Sequence, residues 1–562
     1  MRGIKLTRGA VLMASILLPV LGQIEGAIIN AKSVSLADVS SAIGSASDGD
    51  TVVVPAGTAS WTSGLNIAKG ITLRGANTNP GDDLTIILDD VARRPPDGGR
   101  AIAVTVTPAQ SFRMTGVTFR NGSTFTQKGQ QSNNGTVSAT STGNSPCKSF
   151  RIDHCHFDGL YSNNYLQIGG WIYGVVDHCI FDGRNPGADQ SILVMHTSWG
   201  GGANRFGDGS WADPPYFGTE KFVFIEDCIL NNPAPNQTNM SVDCYGGGRY
   251  VSRHNTINNC GLGGGAHGTE SSGRLRSGRC NETYNNSLTS TQGKAGGGQL
   301  RGGTALVHGN TINGLGTPFK NLTCYREFWP FHIWGGANGK NPWDLNDSHG
   351  AYNSGKHTGS DNSSTLVVAG NPWTANQWVG YSVTNTTQNV RSRAGDTFQY
   401  ASFILSNTSN TITYHIDNTY GVPMFFNAGD GYEIDKVLAA LDQPGRGKGD
   451  LLTTDFRGNP INVAAGKTIA WPHQALEPVY YWNNGGTSGM TARSNYPSIQ
   501  ANRDYYNLGN GFAEDSTPPA VSSKYVAALN GEDYRRPYTY PHPLVSRAAA
   551  SPAVRDPKPV GN

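Results

Sequence analysis

Between Tyr245 and Gly302 the chain gathers seven basic residues, Arg249, Arg253, Arg274, Arg276, Arg279, Lys294 and Arg301. Only Glu270 and Glu282 oppose them, a surplus of +5 in a chain whose formal net charge is +2. His254 and His267 lie among them, beside glycine triplets at 246–248, 263–265 and 296–298. A cationic strip over a floor poor in side chains suits an extended polyanion such as an acidic polysaccharide. The chemistry such a strip could perform is β-elimination from a uronate. There a cation must neutralise the sugar carboxylate while a base reaches the neighbouring proton. Arginine suits the first task because its planar fork grips a carboxylate through two bonds. It suits the second poorly, since its pKa lies above ~12. The expected roles are therefore His267 as base, Arg276 and Arg279 as carboxylate clamps and Arg301 as a further clamp. Arg249, Arg253, Glu270 and Lys294 are expected to bind or orient substrate. The competing reading is structural: arginines bridged to acids on successive turns, and His267 bonded locally in its loop.

A second constellation is Asp153-His154, Asp177-His178 and Glu226-Asp227. Stacked acids of this kind could bind calcium or supply the two carboxylates of glycoside hydrolysis. Outward polar positions are the simpler expectation. Calcium stays open, and no other cofactor is assigned.

Residues this far apart can meet only on a repeating scaffold, and the chain carries one. Residues 112–121, 150–159, 174–183, 223–232, 250–259, 281–290 and 305–314 align in a single ten-residue frame. The sixth column reads Val117, Cys155, Cys179, Cys228, Asn255, Asn286 and Asn310, with steps of 38, 24, 49, 27, 31 and 24 residues. The step of 49 is read as two turns, with a strand hidden in 191–199, and the step of 38 as one turn with an inserted loop. The third and eighth columns are largely apolar, as in Ile152, Val176, Ile225, Phe157 and Phe181. So short a strand cannot bury its own apolar face, whereas copies stacked ~4.8 Å apart form a continuous core. In such a stack the cationic strip spans about two turns, or ~10 Å. This predicts an all-β parallel solenoid.

Composition agrees. Glycine accounts for 73 of 562 residues and charged residues for 15%, while 11 Trp, 23 Tyr and 19 Phe can anchor a large core. The near-neutral charge gives no pull towards nucleic acid or membrane. Arg2, Lys5 and Arg8, then an apolar run over 10–21 and small residues at Gly22 and Ala27, predict a secretory signal. About twelve apolar residues are too few to span ~30 Å of hydrocarbon. A secreted or cell-surface monomer is expected. Of the eight cysteines, Cys155, Cys179 and Cys228 are expected as stacked thiols. Cys244, Cys260, Cys280 and Cys324 are the disulfide candidates.

The opening residues 37–57, with Asp48-Gly-Asp-Thr-Val-Val-Val-Pro-Ala-Gly57 and then Gly70-Ile-Thr-Leu-Arg-Gly75, resemble a known N-terminal cap and first turn. Together with the repeats they are similar to the right-handed parallel β-helix proteins of the pectate-lyase-like superfamily. The resemblance covers about 33–325 and 470–510 and implies the fold. That scaffold hosts lyases, hydrolases, isomerases and adhesins, so it leaves the chemistry open. Its lyases are thought to use Arg or Lys as base. The calcium-binding aspartates of pectate lyases cannot be matched here residue by residue. The polygalacturonase Gly-His-Gly has only Ala266-His267-Gly268 as its nearest counterpart.

The expected organisation is a signal at 1–27, a capped β-helix over 28–325 and aromatic loops with a small antiparallel β-domain over 326–435. Further β-helix turns follow over 436–510, then an extended tail over 511–562. Trp373 and Trp378 are read as core anchors of the small sheet, with stacking on sugar rings as the alternative. A polysaccharide lyase on a uronate polymer is the leading functional reading. A glycoside hydrolase and a non-catalytic glycan-binding rod remain as alternatives.

Overall fold

The computed structural model describes residues 26–92, 99–124, 135–162, 164–183, 190–201, 207–232, 240–262, 265–267, 276–290, 298–314, 320–324, 351–370, 373–391, 397–416, 423–437, 439–447, 474–486, 489–492, 498–509 and 537–546. Among these, three parallel sheets of twelve, ten and nine strands wind into a right-handed β-helix. One coil shows the plan. Cys147–Asp153 lies in the twelve-stranded sheet, His156–Asp158 in the nine-stranded one and Asn164–Ile168 in the ten-stranded one. Ile172–Asp177 then begins the next coil in register, Ile152 opposite Val176.

The apolar columns do what their spacing predicts. Met114, Ile152, Val176 and Ile225 pair in succession and are fully buried. Phe119, Phe157 and Phe181 stack with ring centroids 5.3 and 4.8 Å apart. The 49-residue step is corrected: Gly174 pairs directly with Val223, so it is one coil and not two. Residues 190–195 are its strand in the ten-stranded sheet, and the added length is an insertion carrying the helix Asp208–Ala212. An insertion and a missed turn look alike in sequence; pairing tells them apart.

The bend between the twelve- and nine-stranded sheets explains the fifth and sixth columns. His154, His178, Asp227, His254, Asn285, Gly309 and Asn483 all have positive φ, between 49° and 64°. Asn, Asp and His tolerate that left-handed region better than other side chains, and glycine adopts it freely. In the next column the thiols of Cys155, Cys179 and Cys228 each reach the carbonyl two residues back at 3.3 Å. From Asn255 onward amides take over. Asn255 and Asn286 donate Nδ2 to the Oδ1 of Asn286 and Asn310 at 3.0 Å, and Asn310 donates to Asn484 at 2.8 Å. Each Oδ1 also accepts the backbone N–H of the preceding ladder member.

Asn286→Ala would orphan several of these buried groups at about 1–3 kcal/mol apiece. Chemical denaturation should show a clear fall in midpoint, and an unchanged midpoint would refute a stabilising role for the ladder.

All eight cysteines are buried thiols, so the expected disulfides among Cys244, Cys260, Cys280 and Cys324 do not form. Burial pushes the Cys260 thiol up to about 12 and that of Cys280 to about 11. These cysteines serve as small apolar residues.

The helix Leu36–Ser45 caps the first coil with Val39, Ala42 and Ile43 facing the core. Lys69 donates to the carbonyls of Ile43, Gly44 and Ala46 at its C-terminal end, where a cation suits the helix dipole. Far along the chain, six strands between Asn353 and Lys436 form an antiparallel sheet. Trp373 and Trp378 are buried in its core, each edge-on to a tyrosine, Tyr432 and Tyr381 respectively. The chain then rejoins the stack: Val479–Trp482 pairs with Thr304–His308, and Asn484 extends the ladder. No described helix is long and apolar enough to cross a membrane.

Candidate active site on the ten-stranded wall

The cationic residues separate into two groups. Arg249, Arg253, Arg276 and Arg279 are all fully buried. Arg249 donates to Ser210 Oγ at 2.7 Å and to the carbonyls of Ser210, Pro214 and Pro215 at 2.6, 2.7 and 2.9 Å. Its guanidinium lies 4.3 Å from the centre of the Trp199 ring. Arg253 pairs with Glu226 at 2.6 Å and donates to Tyr284 Oη and to the carbonyls of Tyr538 and Thr539. Arg276 grips Asp442 through two bonds of 3.0 and 2.9 Å and also holds Asp208. Burial works to lower its pKa, but the charges of Asp442 and Asp208 outweigh it and the pKa rises. Arg279 donates to the Asp213 carbonyl at 2.7 Å, and its Nη1 lies 2.6 Å from Glu477.

The expected outward strip is therefore corrected for these four. They are fasteners, each tying a coil to a segment that arrives from elsewhere in the chain: 208–215, 442, 477 or 538–539. A substrate carboxylate could reach one only by displacing a buried acid or carbonyl that already satisfies it.

His267 and Arg301 lie elsewhere. In the ten-stranded sheet Val194, Cys244, Ala266, Leu300 and Leu322 pair in succession. All but Ala266 are established as buried in the core. Strand alternation turns their neighbours outward. One outer column carries Asp243, Gly265, Gln299 and Asn321, with Asp243 opposite Gly265 and Gln299 opposite Asn321. The other carries Tyr245, then His267 one residue past Ala266, then Arg301 one residue past Leu300. Coil spacing sets these ~4.8 Å apart along the axis.

The His267 Nδ1 is hydrogen-bonded to Asp243 Oδ2, with 14% of the histidine side chain and 2% of the aspartate exposed. The other carboxylate oxygen, Asp243 Oδ1, is buried with no hydrogen-bond partner among the described residues. A carboxylate on Nδ1 holds the neutral ring in the tautomer whose basic nitrogen is Nε2. Arg301 is half-buried and donates Nε and Nη2 to Gln299 Oε1 at 3.0 and 2.9 Å, which steadies its fork beside the histidine's coil. Two residues expected at the site, Glu270 and Lys294, lie outside the described residues.

Asp243 went unnoticed in the sequence. It stands 24 residues before His267, one coil length, and that spacing is the signal that could have found it.

The stacked acids are already neutralised. Asp153 is buried and accepts from Arg113 through two bonds of 2.7 Å, from Thr115 Oγ1 and from His154. Burial would raise its pKa, yet these bonds and the nearby arginine charges bring it well below the usual carboxylate range. Asp177 pairs with Arg151, and Glu226 with Arg253. A calcium ion would sit beside guanidinium groups there, so this donor set does not fit a hard cation.

The same holds for Asp83, His156 and Asp158, whose ligand atoms lie within 4.8 Å of one another. Arg120 donates to both acids, at 2.9 and 2.5 Å. Both His156 nitrogens face carboxylates, Asp83 at 2.8 Å and Asp182 at 2.9 Å. Burial opposes the charged ring, but the bonds to Asp182 and Asp83 outweigh it and raise the His156 pKa. The stabilisation is thus fully present below the ordinary histidine value near 6.5 and is lost as pH rises through the raised folded value. His156→Gln should cost most stability in mild acid, with the gap to wild type narrowing in alkali. A gap that is constant from pH 5 to 9 would refute a charged His156.

No protein-family model matches the sequence, and no curated protein does either. Solved structures that match in part include a family 6 alginate lyase mutant, at 15% identity and TM-score 0.29, covering 53% of this chain and 39% of that one. An alginate lyase from a Paenibacillus species matches at 14% identity and TM-score 0.30, over 51% of this chain and 95% of that one. A mannuronic acid specific family 6 lyase from human gut microbiota matches at 17% identity and TM-score 0.31, over 51% and 65%. The chain thus spans well under half of the first of these and just under two thirds of the third. The fold itself rests on the strand pairing described above.

Proposed function

We propose that this protein is a polysaccharide lyase that cleaves a uronate-containing polymer by β-elimination on the outer wall of the ten-stranded sheet. The observation that carries the reading is the Asp243–His267 pair, one coil from Arg301 on the same wall. Arg301 neutralises the uronate carboxylate, which acidifies the proton on the carbon beside it. His267 Nε2 takes that proton. The electron pair of the broken C–H bond becomes the new C4–C5 double bond as the C4–O glycosidic bond breaks. The leaving oxygen takes a proton from the imidazolium or from water. Asp243 touches no reacting atom; it holds the ring's tautomer and orientation.

The test is incubation with a panel of acidic polysaccharides. Unsaturated, ultraviolet-absorbing ends are expected. New reducing ends without that absorbance would replace this reading with hydrolysis. Glycan binding without any turnover would leave a non-catalytic rod, for which an extracellular, glycan-facing role would still be the natural setting.

A further inference from the structure

Residues 537–546 lie across the outer face of the twelve-stranded sheet, nearly three hundred residues beyond some of the strands they touch. They are clasped by side chains from three coils. Arg151 donates to the carbonyls of Leu544 and Val545 at 3.1 and 3.4 Å, and Arg253 to those of Tyr538 and Thr539 at 2.6 and 2.9 Å. Glu226 accepts the His542 N–H at 2.8 Å, and Asp227 accepts the Tyr540 hydroxyl at 2.7 Å. Beneath lies an apolar patch that includes Val175, Phe224 and Val251, against which Tyr538, Leu544 and Val545 pack.

At the centre sits His542, only 5% exposed. Its ring lies 4.8 Å from the Phe224 ring and 5.6 Å from that of Tyr538. Its Nδ1 accepts the Leu544 N–H at 3.2 Å, capping the short turn that follows. In the neutral ring the proton must therefore be on Nε2. A second proton could go only onto Nδ1, where it would meet the Leu544 N–H and abolish the cap.

We infer that the C-terminal segment is a pH-released strap, docked near neutrality and freed in acid when His542 takes up a proton. The charged groups facing it are Arg151, Asp177, Glu226 and Arg253, one from each of four adjoining strands, and the strap itself adds the phenol of Tyr538. Burial first, then Arg253, push the His542 pKa down to about 4, with Asp177 opposing and Arg151 adding to the fall. A depressed histidine leaves docking at full strength above the ordinary value near 6.5 and weakens it as pH falls from there towards the folded value. The neighbouring Glu226 is raised by burial, only partly offset by Arg253, and the His254 ring stacks on Tyr540 of the strap with centroids 3.8 Å apart, so a His542 origin has to be separated from theirs by substitution.

The experiment is hydrogen exchange of peptide 537–546 in the full chain from pH 7.5 to 4.5, corrected for intrinsic exchange, with the solenoid strands as internal reference. Strap protection should fall by up to about tenfold per pH unit below 6.5 while the strands stay protected. His542→Asn keeps a neutral side-chain oxygen able to cap the turn, and it should flatten that dependence. Glu226→Gln should keep it. Protection that is pH-independent in wild type, a dependence that survives in His542→Asn, or one that disappears in Glu226→Gln would each overturn the assignment. The strap lies on a different wall from His267, so this result stands apart from the lyase reading.

Discussion

His267→Ala is expected to lower turnover of a uronate polymer at least a hundredfold, at the low end of what positioned proton transfer supplies. The change also strands the buried Asp243 carboxylate, so His267→Gln, whose amide can still donate to it, should show the same loss of turnover with a thermal transition closer to wild type. Two further variants separate base from positioning residue. Asp243→Asn replaces the acceptor-only carboxylate with an amide that can donate to Nδ1 and so loosens the tautomer; it should reduce kcat with little change in KM and alter the pH–rate profile, which a merely structural aspartate would not do. Arg301→Ala should reduce kcat/KM on uronates, and Arg301→Lys should recover part of it, because an ammonium retains the charge and loses the fork. Wild-type rates in both His267→Ala and Arg301→Ala would remove the site from this wall.

Arg276→Met should be the most destabilising single change, costing about 3–5 kcal/mol, because it strands two buried carboxylates. Arg276, Asp208 and Asp442 all have fully buried side chains, so water cannot make good the loss. The triad joins the helix Asp208–Ala212, the coil at 276 and the segment at 442, so exchange protection should fall in all three together. Denaturant titration measures the cost, and a variant as stable as wild type would refute the fastener role. The triple variant Arg276→Met, Asp208→Asn, Asp442→Asn should regain part of the loss, since it buries no unpaired charge. Strength here comes from pairing charges inside the protein. The same buried guanidinium that would have gripped a sugar carboxylate on the surface grips the chain itself.

The β-helix was legible because its information is local. Columns such as Ile152, Val176 and Ile225 alternate with outward residues, and a recurring frame of short strands requires them to stack. Even the return of the chain at Val479–Trp482 could be read, because Asn484 carries the turn signature of Asn310. The 49-residue step was misread because a gap in a repeat does not say whether a coil or an insertion fills it; only the pairing of Gly174 with Val223 does.

The site divides along the same line. The charge surplus between Tyr245 and Gly302 is a property of composition, and it is legible in the sequence. Which of its cations face outward is a matter of partners that come from far away. Arg276 meets Asp442 across 166 residues and Arg253 meets Tyr538 across 285, separations no local pattern can encode. His267 and Asp243 meet across 24, within one coil, and their pairing needed only the register. The amino-acid order alone therefore settled the winding of the chain, because each coil must bury its apolar columns against the next. The tertiary structure alone settled which charges are spent inside and which remain on the wall, because a guanidinium turns towards the acid that long-range folding brings to it.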